Sequence, residues 1–184
     1  MRSPAAHRQT MRTRPRRRGL ATYVLLAFIA AATGLAYLLT QTRTPAVFSG
    51  RARVIDGDSL AVGGVEVRLY GIDAPELFQR CSREGREVQC GREALRHLVA
   101  LIAGQPVTCE RRDIDRFGRT VAVCSVDGVD LGRAMVAAGL AVSYGAYVAE
   151  EATARAERRG LWAGDFMPPR DWRDQQRARP GPGA

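Results

Sequence analysis

Apolar positions fall along this chain in two rhythms. Over residues 20–41 they are nearly continuous, 22 residues without a charge and broken by little more than Thr22, Thr33 and Thr40. At about 1.5 Å of rise per residue, a helix of that length can cross a hydrocarbon core of about 30 Å. From Val47 onward the runs become short. Segments 47–55, 59–62 and 65–70 read as strands, and Gly63-Gly64 between the last two is a hairpin signal, because both central positions of the favoured turn need positive φ.

A helical period follows over 92–103, where Ala94, Leu95, Leu98, Leu101 and Ile102 share a face and Gly104 supplies a stop. His97 falls off that stripe and is expected at the surface. Segments 106–111 and 120–126 read as two more strands, with Asp127-Gly128 as a turn. A second helix is expected after Asp130, a good N-cap, ending before Gly139. A third is expected over 147–159, with Glu150 and Glu151 early, Arg158 and Arg159 late, and Gly160 after it. Five short strands with a helix inserted after the third suggest an α+β domain, a small closed barrel of the OB type with three helices, behind one N-terminal membrane-spanning helix.

Charge sharpens this division. The formal net charge is +9, but seven arginines precede residue 19 and no acid precedes Asp56. From residue 50 onward, twenty arginines face nineteen acids, so the folded part is nearly neutral and overall basicity says little about nucleic-acid binding. The arginine cluster matches the positive-inside rule, which keeps 1–19 cytoplasmic and sends the chain beyond the apolar run outward, to the periplasm or beyond the cell. A cleaved signal peptide is the rival reading, since Gly34-Leu35-Ala36 has the small residues a signal peptidase needs; the apolar run continuing through Tyr37, Leu38 and Leu39 favours an uncleaved anchor. Residues 42–46 then form a linker, 47–172 the domain, and the polar stretch 173–184, rich in Pro and Gly, a disordered tail.

All four cysteines lie in the exported part. Four allow three pairings, and proximity favours Cys81 with Cys90 and Cys109 with Cys124, each bond contributing roughly 3 kcal/mol by constraining the unfolded chain. Reduced thiols are the alternative; zinc is disfavoured, because there is no C-x-x-C and His97 is the domain's sole histidine.

The residues that carry chemistry fall in three clusters, VIDGDSL over 54–60, RLYGIDAPE over 68–76 and DRFGR over 115–119. Each alone has a bland explanation: D-x-D pairs usually shape turns, and a strand or loop arginine usually forms a surface ion pair. Together they place carboxylates and arginines at strand ends. Asp58 and Asp73, joined by a backbone carbonyl and waters, make a hard oxygen site suited to Ca²⁺ or Mg²⁺. Glu76 can position or deprotonate a water there. Phosphodiester hydrolysis builds negative charge on oxygen, and the guanidinium forks of Arg68 and Arg119 match two phosphate oxygens.

In this order and spacing, with LGRAMVAAGLA and RRGLW behind them, these blocks resemble the thermonuclease (staphylococcal nuclease-like) family over 54–162. The resemblance implies an OB-fold barrel that cleaves DNA and RNA with Ca²⁺. It also implies Asp58, Asp73 and the Ala74 carbonyl as metal ligands, Asp56 as a nearby supporting acid, Glu76 as the base, and Arg68 and Arg119 as the phosphate clamp. Phe117 stands where the family usually has Tyr, keeping a stacking face, and the insert between Cys81 and Cys90 is absent from the simplest members. Tyr144 and Tyr147 either stack on a base or pack against the barrel. The expected partners are a nucleic-acid substrate and a membrane, with no protein partner. The rival function is a non-catalytic binding module on the same fold, which would lack several of these polar residues.

Overall fold

The computed structural model describes residues 18–40 and 46–179, without the side chains of 18, 20, 21 and 35–40. The basic tail up to residue 17, residues 42–45 of the linker and the last five residues lie outside the described part. The chain divides into two units, residues 1–44 and 45–184. In the first, α1 (Arg18–Thr40) is helical where the uncharged run predicts it. Among the described residues, which leave out the side chains of 35–40, no helix is long and apolar enough to cross a membrane, so the membrane-spanning reading of 20–41 rests on the sequence alone.

The second unit begins with β1 (Val47–Gly50), β2 (Ala52–Val54), β3 (Ser59–Val62), β4 (Val65–Leu69) and β5 (Ile72–Asp73), followed by β6 (Cys81–Arg83) and β7 (Arg86–Val88). Helix α2 (Cys90–Ile102) leads to β8 (Val107–Ile114), β9 (Thr120–Val126) and β10 (Val129–Asp130). Then come α3 (Leu131–Ala137), β11 (Val142–Ser143), α4 (Val148–Ala156), a 3₁₀ turn at Gly160–Ala163 and α5 (Pro169–Ala178). The main sheet runs β1-β8-β9-β4-β3-β2, with β10 beside β9. Since β1 and β2 are consecutive pieces of one segment, broken only at Arg51, the two ends of that path are one strand, and the sheet closes on itself. The five expected barrel strands are therefore present, the first split in two. The result is an α+β, OB-like fold.

Local chemistry explains the register. Gly63 and Gly64 take φ of 57° and 88°, the left-handed pair a two-residue hairpin demands, and Val62 faces Val65 across it. On β4, Val67 and Leu69 are buried, so the pleat turns Arg68 between them to the other face. Leu60, Val62, Ala122, Cys124 and Val126 fill the barrel, while Ala94, Leu98 and Ile102 of α2 and Leu131, Met135 and Val136 of α3 cap it. Asp130 accepts from the Arg133 N–H at 3.0 Å, the expected N-cap of α3.

Both favoured disulfides form. Cys109 and Cys124 lie directly opposite each other on β8 and β9 inside the barrel, with Cα atoms 4.1 Å apart. Cys81 and Cys90 join the β6–β7 hairpin to the start of α2. Two expectations, on His97 and on the C-terminal tail, need correction. His97 is half-buried, and burial lowers its pKa, because the far side of α2 is partly covered. The polar stretch over 81–88 is an ordered hairpin, held at Ser82 by a bridge to Asp165. The tail expected to be disordered from residue 173 is helical through Ala178, for a reason found in the site.

Candidate active site

The turn between β2 and β3 sets the first carboxylate. Asp56 accepts from the Asp58 N–H at 3.0 Å, so its carboxylate shapes the turn that aims Asp58 inward. Asp58 is 4% exposed and accepts from the Ser59 hydroxyl at 2.9 Å, the Arg68 guanidinium at 3.0 Å and the Ala74 N–H at 3.1 Å. Burial pushes its pKa up to about 6, and nearby Asp56 and Asp73 push the same way, against the opposing pull of Arg68 and the Ala74 N–H.

Asp73 reaches the same place by a different route. β5 pairs with β11, Asp73 opposite Val142, and the Tyr144 N–H bonds the Gly71 carbonyl at 2.8 Å. This ladder fixes Asp73 where one Arg68 nitrogen lies 2.6 Å from its Oδ1 and 3.0 Å from Asp58 Oδ2. A single positive centre already bridges the two carboxylates, which is the arrangement a hard cation would need. Among the described residues, no three His, Cys, Asp or Glu side chains form a ready-made metal cage. A cation held by these two carboxylates would have to complete its shell with backbone carbonyl and water.

Glu76 is held by a residue that sequence reasoning did not single out. Gln79, completely buried, accepts from the Glu76 N–H at 3.2 Å through Oε1 and donates to the Met167 carbonyl at 2.7 Å through Nε2. Its own N–H donates to the Glu76 carbonyl at 2.7 Å. One buried amide thus fastens the Glu76 turn to the segment entering α5. Arg173 on that helix was likewise unforeseen. Its guanidinium donates to Asp73 Oδ1 at 2.9 Å, Asp73 Oδ2 at 3.0 Å and Glu76 Oε1 at 3.0 Å. Burial works against its charge, but these bonds prevail and raise its pKa. They are the reason the chain beyond residue 172 is ordered.

Asp115 organises the loop between β8 and β9. Its Oδ1 accepts from the Phe117 and Arg119 N–H groups at 2.8 and 3.0 Å, and its Oδ2 accepts from Arg119 Nε at 2.8 Å. Burial opposes the charge of Asp115, but these bonds outweigh it and hold its pKa below the ordinary carboxylate value. Phe117 is 67% exposed, with the Arg116 and Arg119 guanidiniums 4.7 and 5.6 Å from its ring centroid.

A groove of about 930 Å³ gathers these pieces: Arg68, Asp73, Glu76, Phe117, Arg119 and Tyr144 all line it, with Asp56 and Arg173. Asp58 sits against it through Arg68. Ala74 is buried, and its described part in the site is the N–H bond to Asp58. Tyr147 lies apart. Its hydroxyl donates to Asp130 at 2.7 Å, its ring packs on the barrel core, and it lines a neighbouring depression with Arg133. Burial and the Asp130 carboxylate push its phenol pKa up. Among the described residues the main groove carries six arginines and six carboxylates, so its own charge does not draw in a polyanion.

Fold and groove together define an OB-like domain with a paired carboxylate and guanidinium site. The chain belongs to the family described as "Staphylococcal nuclease homologue", whose model matches residues 66–164. It is 38% identical over 121 residues to "Succinoglycan biosynthesis protein ExoI" of Rhizobium meliloti (strain 1021), covering 61% of this chain and 63% of that protein. An "Uncharacterized endonuclease" of Escherichia coli O157:H7 is 34% identical over 136 residues, 67% of this chain and 83% of its own length. "Probable staphylococcal-like nuclease CAN3" of Oryza sativa subsp. japonica is 35% identical over 130 residues, 66% of this chain but 32% of that protein. The chain thus spans less than two thirds of the first and about a third of the last.

Proposed function

We propose that this protein is a nuclease that hydrolyses phosphodiester bonds of DNA, RNA or both with a divalent cation, Ca²⁺ in the first place, held by Asp58 and Asp73. The family, together with relatives named as nucleases, supports a phosphodiester-hydrolysing endonuclease. The observation that carries the reading is the single groove joining Asp73, Glu76, Arg68 and Arg119, with Asp58 3.0 Å from Arg68.

On this reading each residue has its own task. Asp58, Asp73 and the Ala74 carbonyl would hold the cation, with Asp56 shaping the turn behind them. A cation held there would supply polarisation of a phosphoryl oxygen. Glu76, whose side chain is 31% exposed beside the buried pair, would act as the base toward an attacking water. Arg119, oriented by Asp115, and Arg68, once exchanged from the carboxylates, meet the charge growing on the phosphate. Phe117 and Tyr144, each 67% exposed at the groove, offer faces on which bases of a single strand can stack. A gel assay on single- and double-stranded DNA and RNA tests this reading. Cleavage should disappear on chelation and return with Ca²⁺; activity that survives exhaustive chelation refutes the metal role, and binding without cleavage identifies a binding module instead.

We further place the domain outside the cytoplasm, in the periplasm or extracellular space, anchored through residues 20–41. Two disulfides within the domain and the arginine cluster before an uncharged run support this. Membranes from expressing cells should retain the chain through an alkaline carbonate wash, and protease added outside the cytoplasmic membrane should digest the domain. Recovery of intact, washable protein from the cytosol would end this part of the reading.

A further inference from the structure

We propose that Arg173 is a built-in occupant of the cation seat, so that α5 latches the site shut and a divalent cation binds in competition with the guanidinium. This rests on Asp58 and Asp73 being the metal ligands. Three observations lead to it. First, the fork of Arg173 covers both oxygens of Asp73, at 2.9 and 3.0 Å, and reaches Glu76 at 3.0 Å, while Arg68 takes Asp73 Oδ1 as well. Three of the four acceptor positions of Asp73 are thus taken by guanidinium, so a metal ion would compete with these arginines for the carboxylate.

Second, the charge is already nearly balanced. Asp58, Asp73 and Glu76 face Arg68 and Arg173, three negative groups against two positive ones. A dication entering beside both guanidiniums would meet two like charges at short range in a half-buried site, so at least one must leave. Arg68 is carried on the barrel strand β4, whereas Arg173 comes from a peripheral helix.

Third, α5 is lightly fastened. Pro169 is its single buried residue, and the rest of the helix is exposed or half-exposed. Among the described residues, the polar ties that hold it are the Gln79 bond to Met167 and the Arg173 ion pairs. An element held by so few apolar contacts belongs to the low-stability end of the fold, where local release is inexpensive. Arg170 and Arg177 line the same groove at helical spacing from Arg173, so α5 carries three guanidiniums along it.

Calorimetric titration of the purified full chain with CaCl₂, without nucleic acid, measures the competition directly. A latch closed nine-tenths of the time weakens apparent affinity about tenfold. Arg173→Ala should therefore bind Ca²⁺ about tenfold or more tightly than wild type, with Arg173→Lys between them, since a lone ammonium cannot span Asp73 and Glu76 as the fork does. Asp73→Asn in either background should lose the binding. In the wild type, Ca²⁺ should also speed hydrogen exchange of the α5 amides, a readout independent of any variant's folding. Equal affinity in wild type and Arg173→Ala, with Asp73→Asn weaker, overturns the latch and leaves the metal site standing. Weaker binding in Arg173→Ala also overturns it, since the guanidinium would then hold the ligands in place. Absence of Ca²⁺ binding in every variant overturns the metal reading and the latch with it.

Discussion

Glu76→Gln should lower turnover by about 10² to 10⁴ while leaving the fold intact, the range expected when a general base is removed. Gln is close to Glu in shape, and its Oε1 can still accept from Arg173 as the carboxylate does at 3.0 Å. The bonds between residues 76 and 79 use the Glu76 N–H and carbonyl, not the side chain being changed. What is lost is basicity at one position. Because proton abstraction belongs to the transition state, kcat and kcat/KM should fall by similar factors, with KM little changed. Initial rates at saturating and limiting substrate, alongside a thermal melt confirming native stability, check this. Turnover within about threefold of wild type would remove Glu76 from the role of base and leave Asp58, Asp73 and the arginines to account for hydrolysis by positioning alone.

How far the chain could be read before its structure depends on whether each feature has a local cause. The hairpin at Gly63-Gly64 was legible because both glycines are required by backbone sterics at those positions. The α2 face was legible because a 3.6-residue period is written in the positions themselves, and α3 because Asp130 and Gly139 mark its ends. The break at Arg51 was not, since the apolar alternation of 47–55 continues through it, and the bend that closes the barrel depends on partners far along the chain. β1 pairs with β8, some sixty positions on, while β2 pairs with β3.

The site divides in the same way. Asp58, Asp73, Glu76, Arg68 and Arg119 stood out because they sit at strand ends in a recognisable order. Gln79 and Arg173 carry no comparable signal. Gln79 lies between Phe78 and Arg80 with no periodic hint of burial, and its importance comes from one bond to Met167, 88 positions away. Helix α5 reads as PRDWRDQQRA, too polar to predict packing, and its order depends on carboxylates a hundred positions earlier. The one local hint is Pro169 at the first helical position, a common helix opener. Tyr144 and Tyr147, three residues apart, were indistinguishable in sequence; the β5–β11 ladder puts one at the groove, and Asp130 draws the other to the barrel.

Gly91→Ala should reverse the usual sign of a Gly-to-Ala change within a helix. In an open helical position that exchange stabilises by about 1 kcal/mol. Gly91, however, is the second residue of α2, and a Cβ there would lie 1.8 Å from the Glu76 carbonyl oxygen and 2.7 Å from its carbon. These are backbone atoms, so the contact cannot be relieved by turning a side chain. The Glu76 turn is closed by Gln79 on one side, and the neighbouring Cys90 is tied to Cys81 on the other. Helix and turn must therefore separate, at a cost of about 1 to 3 kcal/mol for overpacking. The same movement displaces the proposed base from the buried carboxylates, and a shift of about 1 Å at a reacting group can cost about 10² in rate. Denaturant unfolding should show the loss of stability, and initial rates should show a fall in kcat of that order. If the variant proves as stable and as active as wild type, the close approach of α2 to the Glu76 turn does not set the position of the base, and the disulfide with Gln79 must suffice to hold it.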